Sequence, residues 1–347
     1  MGRGTEAIQA EVRRIARGLF DAKKIDLFIG YQNGTVGPGT RPCFITAADA
    51  SADATVTERL VWGSTCSNNL AAFLQRYFEN VPNRRTKRAE PYPRIGMVVK
   101  GCDMRSIVAL AKERQVERGS LVLVGVPCTG MIDLRELAAR MRPRELEGLR
   151  EQGEQIVAVA ERGSELRFPR EELVQSACRD CRSPRPEGVD HAIPGEARAP
   201  GDGGEAWVAR IEALSSRERW ERFRTEMARC IRCNACRQAC PTCWCKECFA
   251  DQADMKWIGV GTDPSDIMAY HIIRIFHQAG RCTQCDACVR ACPMGVDLRP
   301  YTRKIGKDVR ELFGFVTDFD LETAAPLTTF KMDDENSFIT DPEEADA

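Results

Sequence analysis

Apolar positions recur at helical spacing over residues 5–20, where Ile8, Val12, Ile15 and Leu19 share one face. The pattern then changes to short apolar runs: IDLFIG at 25–30, CFIT at 43–46, RLVW at 59–62, IGMVV at 95–99, LVLVGV at 121–126 and QIVAVA at 155–160. Several are rich in β-branched residues and have the length of strands, not helices. Helix-like stretches at 68–78 and 103–117 separate them. Alternation of this kind predicts an α/β domain with a largely parallel sheet over 1–181.

Residues 182–206 (RSPRPEGVDHAIPGEARAPGDGGEA) carry Pro and Gly without periodicity and read as a linker. Beyond it the pattern is helical. Ser215 and Glu218 form a capping-box signature ahead of Trp220, Phe223 and Met227, on a helix that runs into Cys230. Asp263-Pro264 opens a second helix with Met268, Ile272 and Phe276 on one face. That helix stops near Gly280 and leads into Cys282. The expected second domain, mostly helical, spans 207–316, and an acidic extended tail covers 317–347.

The 347 residues are 43% hydrophobic and 29% charged, enough for a packed core in a soluble chain. Lys+Arg 50 against Asp+Glu 51 argues against nucleic acid and against a polybasic membrane surface as partners. No apolar run is long enough to span a bilayer. The charged N-terminus lacks the apolar core of a secretory signal, so the cytoplasm is the expected compartment. Cysteine changes the picture: there are 17, and eleven fall between Cys230 and Cys292. Without a secretory signal, that density points to metal or cluster binding before disulfides.

One spacing occurs twice. Cys230-x-x-Cys233-x-x-Cys236-x-x-x-Cys240-Pro241 is repeated as Cys282-x-x-Cys285-x-x-Cys288-x-x-x-Cys292-Pro293. Three evenly spaced thiolates, a fourth, then Pro suit a 4Fe–4S cluster. Zinc sites usually pair two C-x-x-C units, and three His in the whole chain supply few mixed sites. In two-cluster ferredoxins the fourth Cys of each run serves the other cluster. The expected sets are Cys230, Cys233, Cys236 and Cys292 for one cluster, and Cys282, Cys285, Cys288 and Cys240 for the other. Residues 210–315 resemble the dicluster ferredoxin domains of respiratory and anaerobic oxidoreductases. The helix between the runs makes the likeness closest to the α-helical type in heterodisulfide reductase and in succinate dehydrogenase iron–sulfur subunits.

Cys102 follows one strand and Cys128 the next, where open α/β sheets bind ligands, and Cys178-x-x-Cys181 comes later. Spacing alone leaves a third 4Fe–4S cluster, zinc or unligated thiols open for these four. The run KGCDMRSIVALAKERQVERGSLVLVGVPCTG, with CRDC after it, resembles the beta subunit family of deazaflavin (coenzyme F420)-dependent hydrogenase and formate dehydrogenase. That likeness covers about 25–185. It implies that Cys102, Cys128, Cys178 and Cys181 hold a 4Fe–4S cluster beside a flavin. The family's Gly-Gly segment ahead of the first strand has no match here, and RSPRPEGVDHAIPG replaces its small-residue stretch after C-x-x-C. FAD is therefore the second expectation and not the first.

Cys43 and Cys66 read as buried thiols. Cys243, Cys245 and Cys248 read either as further ligands or as small residues packed under Trp244 and Phe249. His271 and His277 precede Cys282 on the same helix, placed either to hydrogen-bond a cluster or simply to pack or solvate. Gly34 and the Gly37-Pro38-Gly39 stretch do not fit a nucleotide loop and read as a turn. The sequence carries no triad, no paired carboxylates and no P-loop. The expectation is an iron–sulfur electron-transfer subunit that docks on other subunits of a redox complex and binds no small-molecule substrate of its own. A flavin-containing subunit fed by a deazaflavin or NAD-type donor is the alternative, and a zinc scaffold a third.

Overall fold

The computed structural model describes residues 3–35, 37–79, 91–252, 254, 256, 258–330 and 332. Helix α1 (Arg3–Asp21) buries Val12, Ala16 and Leu19 against the first sheet. Strands β1 (Leu27–Asn33) and β2 (Thr40–Thr46) form an antiparallel pair, followed by the short helix α2 (Ala47–Ala52). Strand β3 (Ile95–Val99) lies parallel to β1, helix α3 (Gly101–Lys112) follows it, and β4 (Leu121–Gly125) lies parallel to β3. All five residues of β3 are buried, as a central parallel strand covered on both faces requires. Each such Ile or Val removed from water contributes about 1.5–3 kcal/mol.

Helix α4 (Leu134–Met141) then leads to a separate antiparallel meander of β5 (Leu146–Gln152), β6 (Gln155–Ala160) and β7 (Glu165–Pro169). The short helices α5 (Arg170–Leu173) and α6 (Ser176–Arg179) follow. Strand β8 (His191–Ala192), inside the Pro/Gly-rich segment, pairs parallel to β4 and completes the order β2-β1-β3-β4-β8. The first sheet is therefore mixed but mostly parallel, and the N-terminal part is α/β.

The remainder is helical: α7 (Glu205–Glu212), α8 (Ser216–Met227), α9 (Ala235–Gln238), α10 (Pro264–Phe276), α11 (Ala287–Ala291) and α12 (Arg299–Phe313). The predicted caps are present. Ser215 and Glu218 form the capping box of α8, and Asp263 accepts from Ser265 N ahead of Pro264. Residues 315–328 fold back, burying Phe315 and Ala325 against Val309. The acidic stretch 333–347 lies outside the described residues.

Several expectations are corrected. RLVW at 59–62 is no strand, because Val61 N donates to Tyr31 O from an irregular segment after a 3-10 turn at Val56–Arg59. QIVAVA becomes β6 of the second sheet, not a member of the parallel one. Residues 70–77 form two 3-10 turns in place of a helix, since Asn69 caps Ala71 N and Asp103 takes Leu70 N. On α10 the buried face is Ile267, Tyr270, His271, Arg274 and Ile275, whereas Ile272 and Phe276 are exposed. That helix is apolar nearly all round, so periodicity could not choose its inner face. Trp220 on α8 is also exposed.

Candidate metal centres

The two cysteine runs fold alike. Arg232 (φ 54°) and Asn234 (φ 58°) are left-handed in the first run, and Gln284 (φ 56°) and Asp286 (φ 54°) occupy the same offsets in the second. Non-glycine residues avoid this region, so its repetition at matched positions marks a functional constraint. The twist turns main-chain amides onto sulfur. Arg232 N donates to Cys230 Sγ at 3.3 Å, and Gln284 N donates to Cys282 Sγ at 3.4 Å. Each loop enters a short helix, α9 or α11, that carries the third Cys of its run, and the two helices pack together.

Cys230, Cys233, Cys236 and Cys292 line one cavity, together with Cys288, Tyr270 and His271. Cys292 Sγ accepts from Val296 N at 3.3 Å. Cys233 is exposed, so this site reaches the surface. His271 is buried, with Nε2 3.3 Å from Cys230 Sγ. Burial pushes the imidazole down to about 4, helped by the positive Arg274 and Arg232, so it is neutral at pH 7.

The second run sits deeper. Burial pushes the Cys282 thiol up to about 12, and the neighbouring Cys240 adds to the rise. Cys285 and Cys288 are raised by burial and by Cys240 as well, against the opposing charges of Arg290 and Arg274. Gln278 links Cys240 to this run, because its main-chain O accepts from Cys282 N at 3.0 Å. Cys240 Sγ lies 3.5 Å from Thr242 Oγ1 and 3.6 Å from Gln278 Oε1.

A third set gathers at the α/β domain. Val99 and Gly125 are register partners in β3 and β4, and Cys102 and Cys128 each come three residues beyond them, at the carboxyl ends of the strands. Cys178 and Cys181, at α6, complete the lining of one cavity, to which Cys285 of the second run also contributes. Cys178 Sγ accepts from Met131 N at 3.3 Å, and burial pushes Cys128 up to about 12. The Pro/Gly-rich segment covers this site. Cys128 N donates to Pro184 O, and a Cβ on Gly101 would lie 1.7 Å from Ser183 O.

Sulfurs that ring a cavity, with main-chain amides donating to them, fit a cubane. Residues 226–296 match the family model described as a 4Fe-4S dicluster domain. The chain carries a 4Fe–4S dicluster domain.

That domain holds every cysteine of the two runs. The chain is also 29% identical over 109 residues to the F420-dependent formate dehydrogenase subunit beta of Methanocaldococcus jannaschii, covering 31% of this chain and 27% of that protein. With the F420-dependent formate dehydrogenase 1 subunit beta of Methanococcus maripaludis it shares 24% over 294 residues, covering 67% of this chain and 75% of the relative. The chain thus matches about a quarter of the length of the first relative and three quarters of the second. A solved structure of the F420-reducing [NiFe] hydrogenase complex from Methanosarcina barkeri, in a xenon derivative, aligns at 15% identity and a TM-score of 0.35 over 59% of this chain and 72% of that one. The two formate dehydrogenase beta subunits carry a name of the family read from KGCD, VPCTG and CRDC. Among the described residues no helix is long and apolar enough to cross a membrane.

Five thiols lie outside these three sets. Cys43 and Cys66 are buried, and burial pushes Cys66 up to about 11. Cys245 is exposed, so PTCWCKECF is not uniformly packed under the dicluster domain, although Cys243 and Cys248 are partly covered. His277 is exposed and edges onto Phe249. The arginines among the cysteine sets were missed in reading the sequence. Arg290 donates to Cys285 O at 2.7 Å and to Ser67 O at 2.9 Å, and Arg274 donates to Cys236 O at 3.0 Å. A charged residue on the otherwise apolar stretch of α10 was the available signal.

Proposed function

We propose that this chain is an iron–sulfur electron-transfer subunit of a multisubunit cytoplasmic oxidoreductase. Cys230, Cys233, Cys236 and Cys292 hold one 4Fe–4S cluster, here site I. Cys282, Cys285, Cys288 and Cys240 hold a second, site II. Cys102, Cys128, Cys178 and Cys181 hold a third, site III. The observation that carries this reading is that the cavities share walls: Cys288 of the second run lines the site I cavity, and Cys285 lines the site III cavity.

A 4Fe–4S cluster supplies one-electron transfer. The protein supplies the rest. It keeps the sites contiguous, donates amide N–H groups to ligand sulfur and shields sites II and III from water, all of which set potential. The exposed Cys233 makes site I the place where a partner's redox group approaches. Partners are other subunits of a complex of the formate dehydrogenase or hydrogenase type, by similarity to the F420-dependent relatives. Free thiols persist in the cytoplasm, which suits the 17 cysteines.

A second reading, a flavin-containing subunit, rests on a cavity of about 480 Å³ that shares Ser67, Gln175 and Arg290 with site III. Its size suits an organic ligand. The deciding experiment is iron, acid-labile sulfide and flavin per chain on protein purified without oxygen. About 12 irons without flavin is the expected result, at four per set of four cysteines. About 8 irons would remove the third cluster, and stoichiometric flavin would favour the second reading.

A further inference from the structure

Arg274 is 3% exposed, on the inner face of α10. Its Nη2 donates to Cys236 O at 3.0 Å, and its Nε and Nη1 have no partner among the described residues. One turn to either side of it, His271 Nε2 lies 3.3 Å from Cys230 Sγ of site I and Gln278 Oε1 lies 3.6 Å from Cys240 Sγ of site II, so Arg274 sits between the two sets. A guanidinium cannot discharge at any ordinary pH, and burying it without an anion is strongly unfavourable. Its neighbours show the contrast. Arg303, equally buried, has Asp180 at 2.8 Å and Asp286 at 3.7 Å. Arg232 lies over the Tyr270 ring at 4.5 Å. Arg274 faces sulfur from two ligand sets and is given no carboxylate.

We propose that Arg274 is a counter-cation shared by sites I and II, a positioning residue that raises the reduction potential of both and lowers the repulsion between their charges. This rests on the ligand sets of the proposed function. A cubane with four thiolates is anionic in every state it uses, and each electron taken up adds negative charge. Two such groups side by side repel, and reducing one makes reducing the other harder. A fixed cation between them offsets part of that penalty at both sites at once. Its two unpartnered nitrogens, Nε and Nη1, carry N–H donors that sulfur at these sites can accept, and such bonds raise potential. Lysine offers the charge without the planar fork, so the two contributions are separable.

The test is a redox titration followed by electron paramagnetic resonance on the full chain, purified without oxygen, as wild type, Arg274→Gln and Arg274→Lys, with iron counted in each. In Arg274→Gln the reduction equilibria of sites I and II should each fall about tenfold, or 59 mV for one electron, with site III moving least. Arg274→Lys should recover at least half of the shift. Retained iron with unmoved potentials in Arg274→Gln would overturn the proposal, and so would a shift confined to one site. Loss of iron from both variants would assign Arg274 to folding alone and overturn it as well. Failure of the ligand reading looks different: wild-type protein would then hold fewer than about 8 irons before any substitution.

Discussion

Arg290 Nη1 lies 3.1 Å from Gln175 Oε1, and this bond joins the dicluster domain to the segment that carries Cys178. Gln175 is itself anchored, its Nε2 donating to Ile132 O at 3.1 Å. The same guanidinium donates to Cys285 O and to Ser67 O. One side chain thus holds the loop of the second cysteine run, the segment ahead of Cys178 and a loop of the α/β domain in register. Arg135 adds a second tie at Cys292 O, 2.9 Å away, and Gln75 a third at Pro241 O, 2.6 Å away.

Arg290→Met keeps the length of the stem and removes three charge-assisted hydrogen bonds. Such bonds contribute about 1.5–3 kcal/mol each when partly buried, and the carbonyls left behind add to the loss. Docking of the two halves should weaken by at least about 2 kcal/mol, roughly thirtyfold in an equilibrium. The measurement is the rate at which iron is lost to a chelator, read from the visible absorbance. Site III, at the junction, should empty first. Uniform loss from all sites would show that Arg290 does not bear on the junction.

The ligand sets separate by substitution. Cys102→Ala or Cys178→Ala should remove about four irons and leave about eight, because sites I and II take no ligand from those positions. Cys292→Ala should damage site I, although Cys292 belongs to the second run. Iron analysis paired with magnetic resonance spectra checks both. Unchanged iron in the first two variants would exclude the third cluster. Loss of the site II signal in the third would overturn the crosswise pairing.

The dicluster domain was legible because its signature is local: the i, i+3, i+6 spacing and the Pro after the fourth Cys are written in the chain. The parallel core was legible for a similar reason, since β3 and β4 are buried on both faces and read as continuous apolar runs. What failed depends on distant partners. Residues 70–77 lose their helix to a carboxylate from Asp103. QIVAVA pairs with β5 and β7, which lie half in solvent and carry too few apolar residues to stand out as apolar runs. The inner face of α10 is selected by the elements it packs on, α8, α12 and the first cysteine run, where Arg274 donates to Cys236 O. The third set lay between these cases, with two cysteines placed by adjacent strands and two by a later loop.

Loading the sites should release protons well above neutral pH. Burial holds Cys128 and Cys282 at about 12, far above an ordinary thiol, so the apo-protein carries them protonated. Cluster ligands bind as thiolates, so these protons leave on loading. Raised values mean that loading grows more favourable as pH rises, without a plateau near the free-thiol value of about 8.5. The thiolate absorbance of the apo-protein, taken as the difference between wild type and Cys128→Ala and between wild type and Cys282→Ala, should be no greater at pH 8.5 than at pH 7. A difference that rises to about half a thiolate by pH 8.5 would show ordinary, solvent-exposed thiols at these two positions.

Gly101→Ala tests whether the Pro/Gly-rich segment closes site III. The added methyl would lie 1.7 Å from Ser183 O and 2.8 Å from its carbonyl carbon, both main-chain atoms that a rotamer change cannot move. Either α3 or the 182–186 segment must shift. Cys102 is the next residue on α3, and Cys181 precedes the segment by one position, so any shift separates two ligands of the same set. Overpacking alone costs about 1–3 kcal/mol, which a fold of this size survives. The variant should therefore fold, keep about eight irons in the dicluster domain and lose the four of site III. Far-ultraviolet circular dichroism with an iron count distinguishes this from general unfolding. A folded variant with about twelve irons would mean that the segment moves freely over the site and does not close it.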